Sequence, residues 1–354
     1  MRIRREKTFV SFFDERNGTY LRTGILANGK DTGKDPFMAS FPELLDVGIM
    51  GHCNHGKKGL CLKAQVQCYQ DGLHSDAQNM SLEDFSSIVE QSSGKTFQFA
   101  LGGCGDPDEH ESFADILELC SSKKIVPNFT TSGYGLTKEK ADLCRKHCGA
   151  VAVSWYRSEY TLKAIKLLLD CDVKTNIHYV LNTRTIQEAM TRLQEDSFPA
   201  GINAVIFLLH KPVGLGLHDV VIDQNCQQFF TFLQYATSHT FRYKIGFDSC
   251  TVPALLQTES SFDVDSIDTC EAARWSAYVT PDNKLLPCSF DNQQKRWAVD
   301  LHHTSIQDAW FSETFEAFRK HFKKSCPECV RRERCLGGCP ICPEIVVCSD
   351  KKIN

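Results

Sequence analysis

The chain has 354 residues, 42% of them hydrophobic, and a formal net charge of -4. That length suits two domains better than one, and the apolar fraction supplies a sizeable core. Near-balanced charge without a long basic block excludes an electrostatic footprint for nucleic acid, and no run of about 18 apolar residues is present to span a bilayer.

No apolar stretch marks a signal peptide, so a cytoplasmic location is expected. In a reducing compartment the 18 cysteines are thiols or metal ligands rather than a disulfide framework.

Residues 1–7 are basic but few, and read as a solvated start. Residues 8–25 predict a β-hairpin turning at Asn17-Gly18, and 27–40, rich in Gly, Asp and Lys, read as a loop. From residue 44 short apolar runs alternate with amphipathic stretches. Strands are predicted at 44–50, 97–101, 125–130, 150–154, 175–181, 205–209 and 243–247. Helices are predicted near 82–92, 138–148, 159–171, 185–195 and 223–238. One more carries Phe113, Ile116, Leu117 and Cys120 on a single face. Repeated strand–helix units imply a parallel sheet with helices outside. The fold class is therefore α/β, a partial (β/α)6 TIM-like barrel with ligands at the C-terminal strand ends. After about residue 248 the alternation fades into a small Cys-rich domain with a β-hairpin and one helix near 305–322. Such a segment buries little apolar surface, so metal must supply much of its stability. The expected organisation is 1–43 (hairpin and loop), 44–246 (barrel) and 247–354 (Cys-rich domain).

Three thiols, Cys53, Cys61 and Cys68, follow the first barrel strand on one loop. Three thiolates can hold a 4Fe–4S cluster and leave one iron open for a ligand. The blander alternatives are buried thiols, or a zinc site drawing on His52 and His55. The loop's position and the flanking Asp46-Val47-Gly48-Ile49 strand resemble the radical S-adenosylmethionine (SAM) superfamily. The usual C-x3-C-x2-C spacing is expanded here to C-x7-C-x6-C. The resemblance implies that the open iron binds SAM and that reductive cleavage releases a 5'-deoxyadenosyl radical.

The second strand runs into Gly102-Gly103-Cys104-Gly105-Asp106-Pro107, which resembles the family's Gly-Gly-Glu-Pro motif. Glycines admit close backbone approach. Gly102, Gly103 and Asp106 are thereby implied as SAM contacts, with Cys104 a packed thiol. Ser132, in a turn similar to the family's Thr-Asn-Gly, and Ser154, ending the fourth strand, are implied likewise. The fifth strand carries Asn176, His178 and Asn182 at alternating, inward positions, and Asn176 is taken as a cofactor contact. His178, His210 and Lys211 face substrate or are simply polar groups at the core edge.

The tail reads Cys326, Cys329, Cys335 and Cys339 as C-x2-C-x5-C-x3-C, followed by Cys342 and Cys348. Cys250, Cys270 and Cys288 lie upstream. Cys288 closes a predicted hairpin turning at Pro281-Asp282-Asn283. This resembles the SPASM domain of radical SAM peptide maturases, with Asn283 where Gly is usual. Asn also tolerates left-handed geometry. The resemblance implies two auxiliary 4Fe–4S clusters, three clusters in all. Cys270, Cys288, Cys339 and Cys250 would hold the first. Cys326, Cys329 and Cys335 would hold the second with Cys348 or Cys342, Cys348 being preferred because the family leaves a gap there. Zinc ribbons are the competing reading of such spacing. Cys120, Cys144, Cys148, Cys171 and Cys226 fall on predicted helices as bystander thiols.

The implied activity is SAM cleavage followed by hydrogen abstraction from a ribosomally synthesised precursor peptide or a protein. Implied partners are that peptide and a flavodoxin or ferredoxin as electron donor; since the first 40 residues are too few for the recognition domain some maturases carry, the leader is expected to bind either a separate protein or residues 8–25 directly. No nucleic-acid or membrane partner is expected. The alternatives are a non-catalytic zinc-binding scaffold and a radical SAM enzyme acting on a small molecule.

Overall fold

The computed structural model describes residues 1–258, 266–324, 326 and 328–348. The last positions of the expected third domain, 349–354, lie outside them. The chain opens with an antiparallel sheet of β1 (Arg2–Arg5), β2 (Val10–Asp14) and β3 (Thr19–Arg22). The predicted hairpin is present, but the basic start is not simply solvated. It pairs with β2, Arg2 opposite Phe13. The Arg4 guanidinium lies 2.6 Å from the Glu6 carboxylate. Phe13 stacks on Phe97 with ring centroids 5.3 Å apart, and Ser11 donates to buried Glu43 at 2.6 Å. These contacts seat the small sheet on the barrel. Two short strands, β4 (Leu26–Ala27) and β5 (Lys30–Asp31), pair within the predicted loop.

The barrel follows as β6 (Leu44–Met50), β7 (Gln98–Gly103), β8 (Val126–Thr131), β9 (Val151–Ser154), β10 (Thr175–Leu181), β11 (Ala204–Leu209) and β12 (Lys244–Phe247). All seven are parallel neighbours in chain order. Period-two alternation decides which side chains see the interior. In β10, Thr175, Ile177, Tyr179 and Leu181 are buried under the helices, whereas Asn176, His178 and Val180 line the interior hollow.

The outer helices start where the sequence supplies caps. Ser81 accepts from the Asp84 N–H at 3.0 Å, Thr137 from Lys140 at 3.4 Å and Ser158 from Thr161 at 3.2 Å, each satisfying an otherwise unpaired helix donor. The predicted helix at 305–322 is two helices, Ile306–Trp310 and Glu313–Arg319. Ser312 caps the second by accepting from the Phe315 N–H at 3.3 Å, so the chain restarts there instead of continuing. Among the described residues no helix is long and apolar enough to cross a membrane.

After β12 the chain returns to the barrel rather than building a detached layer. β13 (Ser276–Val279) pairs in parallel with β6, and β14 (Lys284–Leu286) and β15 (Val299–Asp300) extend the sheet antiparallel. Ten strands thus form one open sheet, β12-β11-β10-β9-β8-β7-β6-β13-β14-β15. Asn283 turns the hairpin with φ +56°, the left-handed geometry expected where a glycine is usual. This continuity brings the Cys-rich region against the barrel mouth.

Candidate active site at the barrel mouth

A cavity of about 720 Å3 runs through the barrel to the C-terminal strand ends. Cys53, Cys61 and Cys68 line one part of its wall; Cys250, Cys270, Cys288 and Cys339 line another. A larger hollow, about 960 Å3, opens near Arg145, Lys166 and Lys174. It contains none of the expected cluster or cofactor residues, only the bystander thiols Cys144 and Cys148, and its position at the opposite strand ends sets it apart from the barrel chemistry.

The loop after β6 gathers the first trio. Cys53 caps the short turn Asn54–Lys57, its sulfur accepting from the Gly56 N–H at 3.1 Å. A Cβ placed on Gly72 would lie 3.5 Å from Cys53 Sγ and 3.6 Å from Cys68 Sγ, so those sulfurs flank this glycine. His55 Nδ1 is 3.2 Å from Cys61 Sγ, and its Nε2 is 2.7 Å from the Tyr160 hydroxyl. His55 is therefore a packed neighbour of the trio. His52 contacts the Ala77 carbonyl at 3.3 Å. Burial pushes the Cys53 thiol up to about 12 and Cys61 to about 11. Buried thiols like these ionise only when a cation compensates the desolvation, so the donor set suits a metal cluster.

The turn after β7 clamps that loop. The Cys104 N–H donates to the Met50 carbonyl at 2.7 Å, and Asn54 donates to Glu109 at 3.2 Å. Gly102, Gly103 and Asp106 line the cavity, as do Ser154 and Asn176. Ser132 does not. It is buried behind Asp106, to which it donates both its N–H, at 2.7 Å, and its hydroxyl. Its geometry is that of a support for the carboxylate. Cys104 is buried beside the trio.

Cys250, in the turn after β12, converges on that wall with Cys270, Cys288 and Cys339, which flank or follow the β13–β14 hairpin added to β6. The Cys342 N–H donates to Cys339 Sγ at 3.3 Å, and the Cys342 side chain is packed in the core. A separate small hollow of about 20 Å3 is lined by Cys326, Cys329, Cys335 and Cys348 together. Of the two candidates weighed for that group, Cys348 stands with it and Cys342 stands with Cys339. Among the described residues, no three His, Cys, Asp or Glu side chains are grouped to hold a single metal ion.

Several cavity residues escaped the sequence reading. Asp46 lines the cavity from β6, half-buried there, and desolvation raises its carboxyl to about 7. A carboxylate inside the apolar run from Leu44 to Met50 was the available signal. Asp248 pairs with Lys211 and had no signal at all, since the partner lies 37 positions away. His178 touches Thr130 Oγ1 at 3.1 Å, and burial lowers it to about 4.

That shift has a stability consequence. A histidine whose folded value lies below its unfolded value of about 6.5 stabilises the native state above pH 6.5 and loses that contribution as pH falls toward 4. At pH 5 the loss from His178 is about 2 kcal/mol. Urea midpoints at pH 7 and pH 5 should converge in His178→Gln relative to the unaltered chain; an equal pH slope in both proteins counts against the assignment.

Comparison with known proteins adds to this geometry. Residues 270–335 match the SPASM iron–sulfur cluster-binding domain. Over those residues the chain is similar to a SPASM domain. The chain is 25% identical over 266 residues to the PqqA peptide cyclase of Methylocella silvestris, covering 66% of this chain and 67% of that one. Its fold is similar to that of Streptococcus suis SuiB bound to S-adenosylmethionine, with TM-score 0.69 and 17% identity over 89% of this chain and 78% of that one. It is also similar to native anSMEcpe with bound AdoMet, with TM-score 0.58 and 16% identity over 87% and 92% of the two chains. The chain thus has the fold of these two proteins. Cys270, Cys288, Cys326, Cys329 and Cys335 all fall within the matched SPASM residues.

Proposed function

We propose that this chain is a radical SAM enzyme that modifies a ribosomally made precursor peptide. The observation that carries the reading is the single cavity walled by both cysteine sets. Relatives support the substrate class: one is a PqqA peptide cyclase, and SuiB has been solved bound to its precursor peptide SuiA.

Cys53, Cys61 and Cys68 would hold the SAM-binding 4Fe–4S cluster. Cys250, Cys270, Cys288 and Cys339 would hold the first auxiliary cluster, and Cys326, Cys329, Cys335 and Cys348 the second. When bound, the clusters and SAM supply an electron and a radical that abstracts hydrogen. The protein supplies position. Gly102 and Gly103 present backbone without a Cβ to the cavity, and Asp106, held by Ser132, offers a fixed acceptor. Ser154 and Asn176 line the adjacent wall. A volume near 720 Å3 is ample for a cofactor and a side chain, given typical ligand pockets of about 300–1,000 Å3. A flavodoxin or ferredoxin is the proposed electron donor, a separate protein the proposed leader binder, and a reducing cytoplasm the proposed setting for so many thiols.

Anaerobic reconstitution tests this. About twelve irons per chain with matching sulfide, and deoxyadenosine formed from SAM under reductant, are expected. Purified protein that carries zinc alone, or loaded protein that forms no deoxyadenosine, refutes the reading.

A further inference from the structure

Lys211 is buried at the end of β11 and ion-paired to Asp248. Asp248 is itself fixed from two sides. It accepts from the Leu209 N–H at 3.1 Å and from the Thr251 hydroxyl at 2.8 Å. It also opens the 3-10 turn Ser249–Thr251, which carries Cys250. On the opposite side the Lys211 ammonium lies 4.7 Å from the centroid of Phe290. Phe290 belongs to the turn after Cys288 and packs on Tyr69, the neighbour of Cys68, at 4.7 Å between centroids. The ammonium is thus held where strands, both cysteine turns and the first cluster loop meet. Lys211 lines the same cavity as Cys250, Cys270, Cys288 and Cys339.

Resting on the ligand assignment above, we propose that Lys211 is a positioning residue that places a buried positive charge beside the four-cysteine site of Cys250, Cys270, Cys288 and Cys339 and raises the reduction potential of the cluster held there. A cation close to a cluster favours its more negative, reduced form, and little solvent is present to screen the effect. Asp248 sets where the ammonium sits.

Lys211→Met keeps the stem and removes the charge. The double variant Lys211→Met/Asp248→Asn also removes the carboxylate that the single variant leaves buried and unpaired. Each is reconstituted anaerobically as full chain, its iron counted, and its clusters titrated by EPR-monitored potentiometry. The first auxiliary signal is identified by its loss in Cys288→Ser. Full iron is expected in both, with the reduction equilibrium of that cluster tenfold less favourable in the single variant, about 59 mV lower for one electron. A smaller fall of the same sign is expected in the double variant, and recovery in Lys211→Arg. An unmoved potential at full iron in both variants overturns the inference. Loss of this cluster from both also overturns it, because Lys211 is then a structural prop. If the unaltered protein shows no signal that depends on Cys288, the ligand assignment itself fails, which iron content and that control reveal independently of Lys211.

Discussion

Replacing Cys53, Cys61 and Cys68 together by alanine will abolish deoxyadenosine formation while leaving about eight of about twelve irons bound, one cluster being lost of three. The three thiols share one cavity wall and are fully or largely buried, and Cys326, Cys329, Cys335 and Cys348 line a separate hollow that none of the three enters. Losing the trio would therefore remove the proposed SAM site and spare the proposed auxiliary sites. The expected rate loss is on the order of 10^6 or more, the low end of enzymatic acceleration. Iron analysis and chromatographic detection of deoxyadenosine check both halves. Retained cleavage at comparable rate, or loss of all iron with a folded chain, would each contradict the division of labour.

Gly105→Ala should be strongly damaging although it replaces no thiol. Gly105 has φ +139°, and a Cβ there would lie 2.2 Å from the His52 carbonyl oxygen and 3.3 Å from Cys53 Cα. The clash is with backbone, so no side chain can swing away. That backbone belongs to the cluster loop itself. Left-side backbone strain costs about 1–3 kcal/mol, and forced displacement of packed groups about 1–3 kcal/mol more. A total near 4 kcal/mol is expected, with impaired loading of the first cluster. Gly29→Ala is the control: its φ is also positive, at +74°, but an added Cβ meets nothing within 4 Å. Denaturant midpoints and iron content measured on the two variants should diverge sharply; equal midpoints would remove the steric argument.

Much of the architecture was legible because its signals are local. The barrel strands are short apolar runs whose partners follow in chain order, so alternation with capped helices sufficed to set them out. The split at Ser312 was legible in principle, since a serine before Glu313 is a cap signal, but helical periodicity on both sides concealed it. The role of residues 1–5 was not legible. Their basic side chains look solvated in sequence, and only the pairing with β2 and the approach of Arg2 to Phe97 give them work.

The cysteine spacing and the Gly102–Asp106 run by themselves determined that this chain is built around thiol groups at the mouth of an α/β barrel, because short loops force residues close in sequence to be close in space. What only the tertiary structure decided is how those groups combine. Cys250 follows β12 at one edge of the sheet and Cys339 lies beyond β13, β14 and β15 in the chain, yet both face the same cavity as Cys53. Cys348 rather than Cys342 lines the hollow with Cys326, Cys329 and Cys335. Asp46, Asp248 and Lys211 acquire their character from burial and from partners distant in sequence. Burial and long-range pairing depend on how sheets close and segments dock, and no local spacing encodes them.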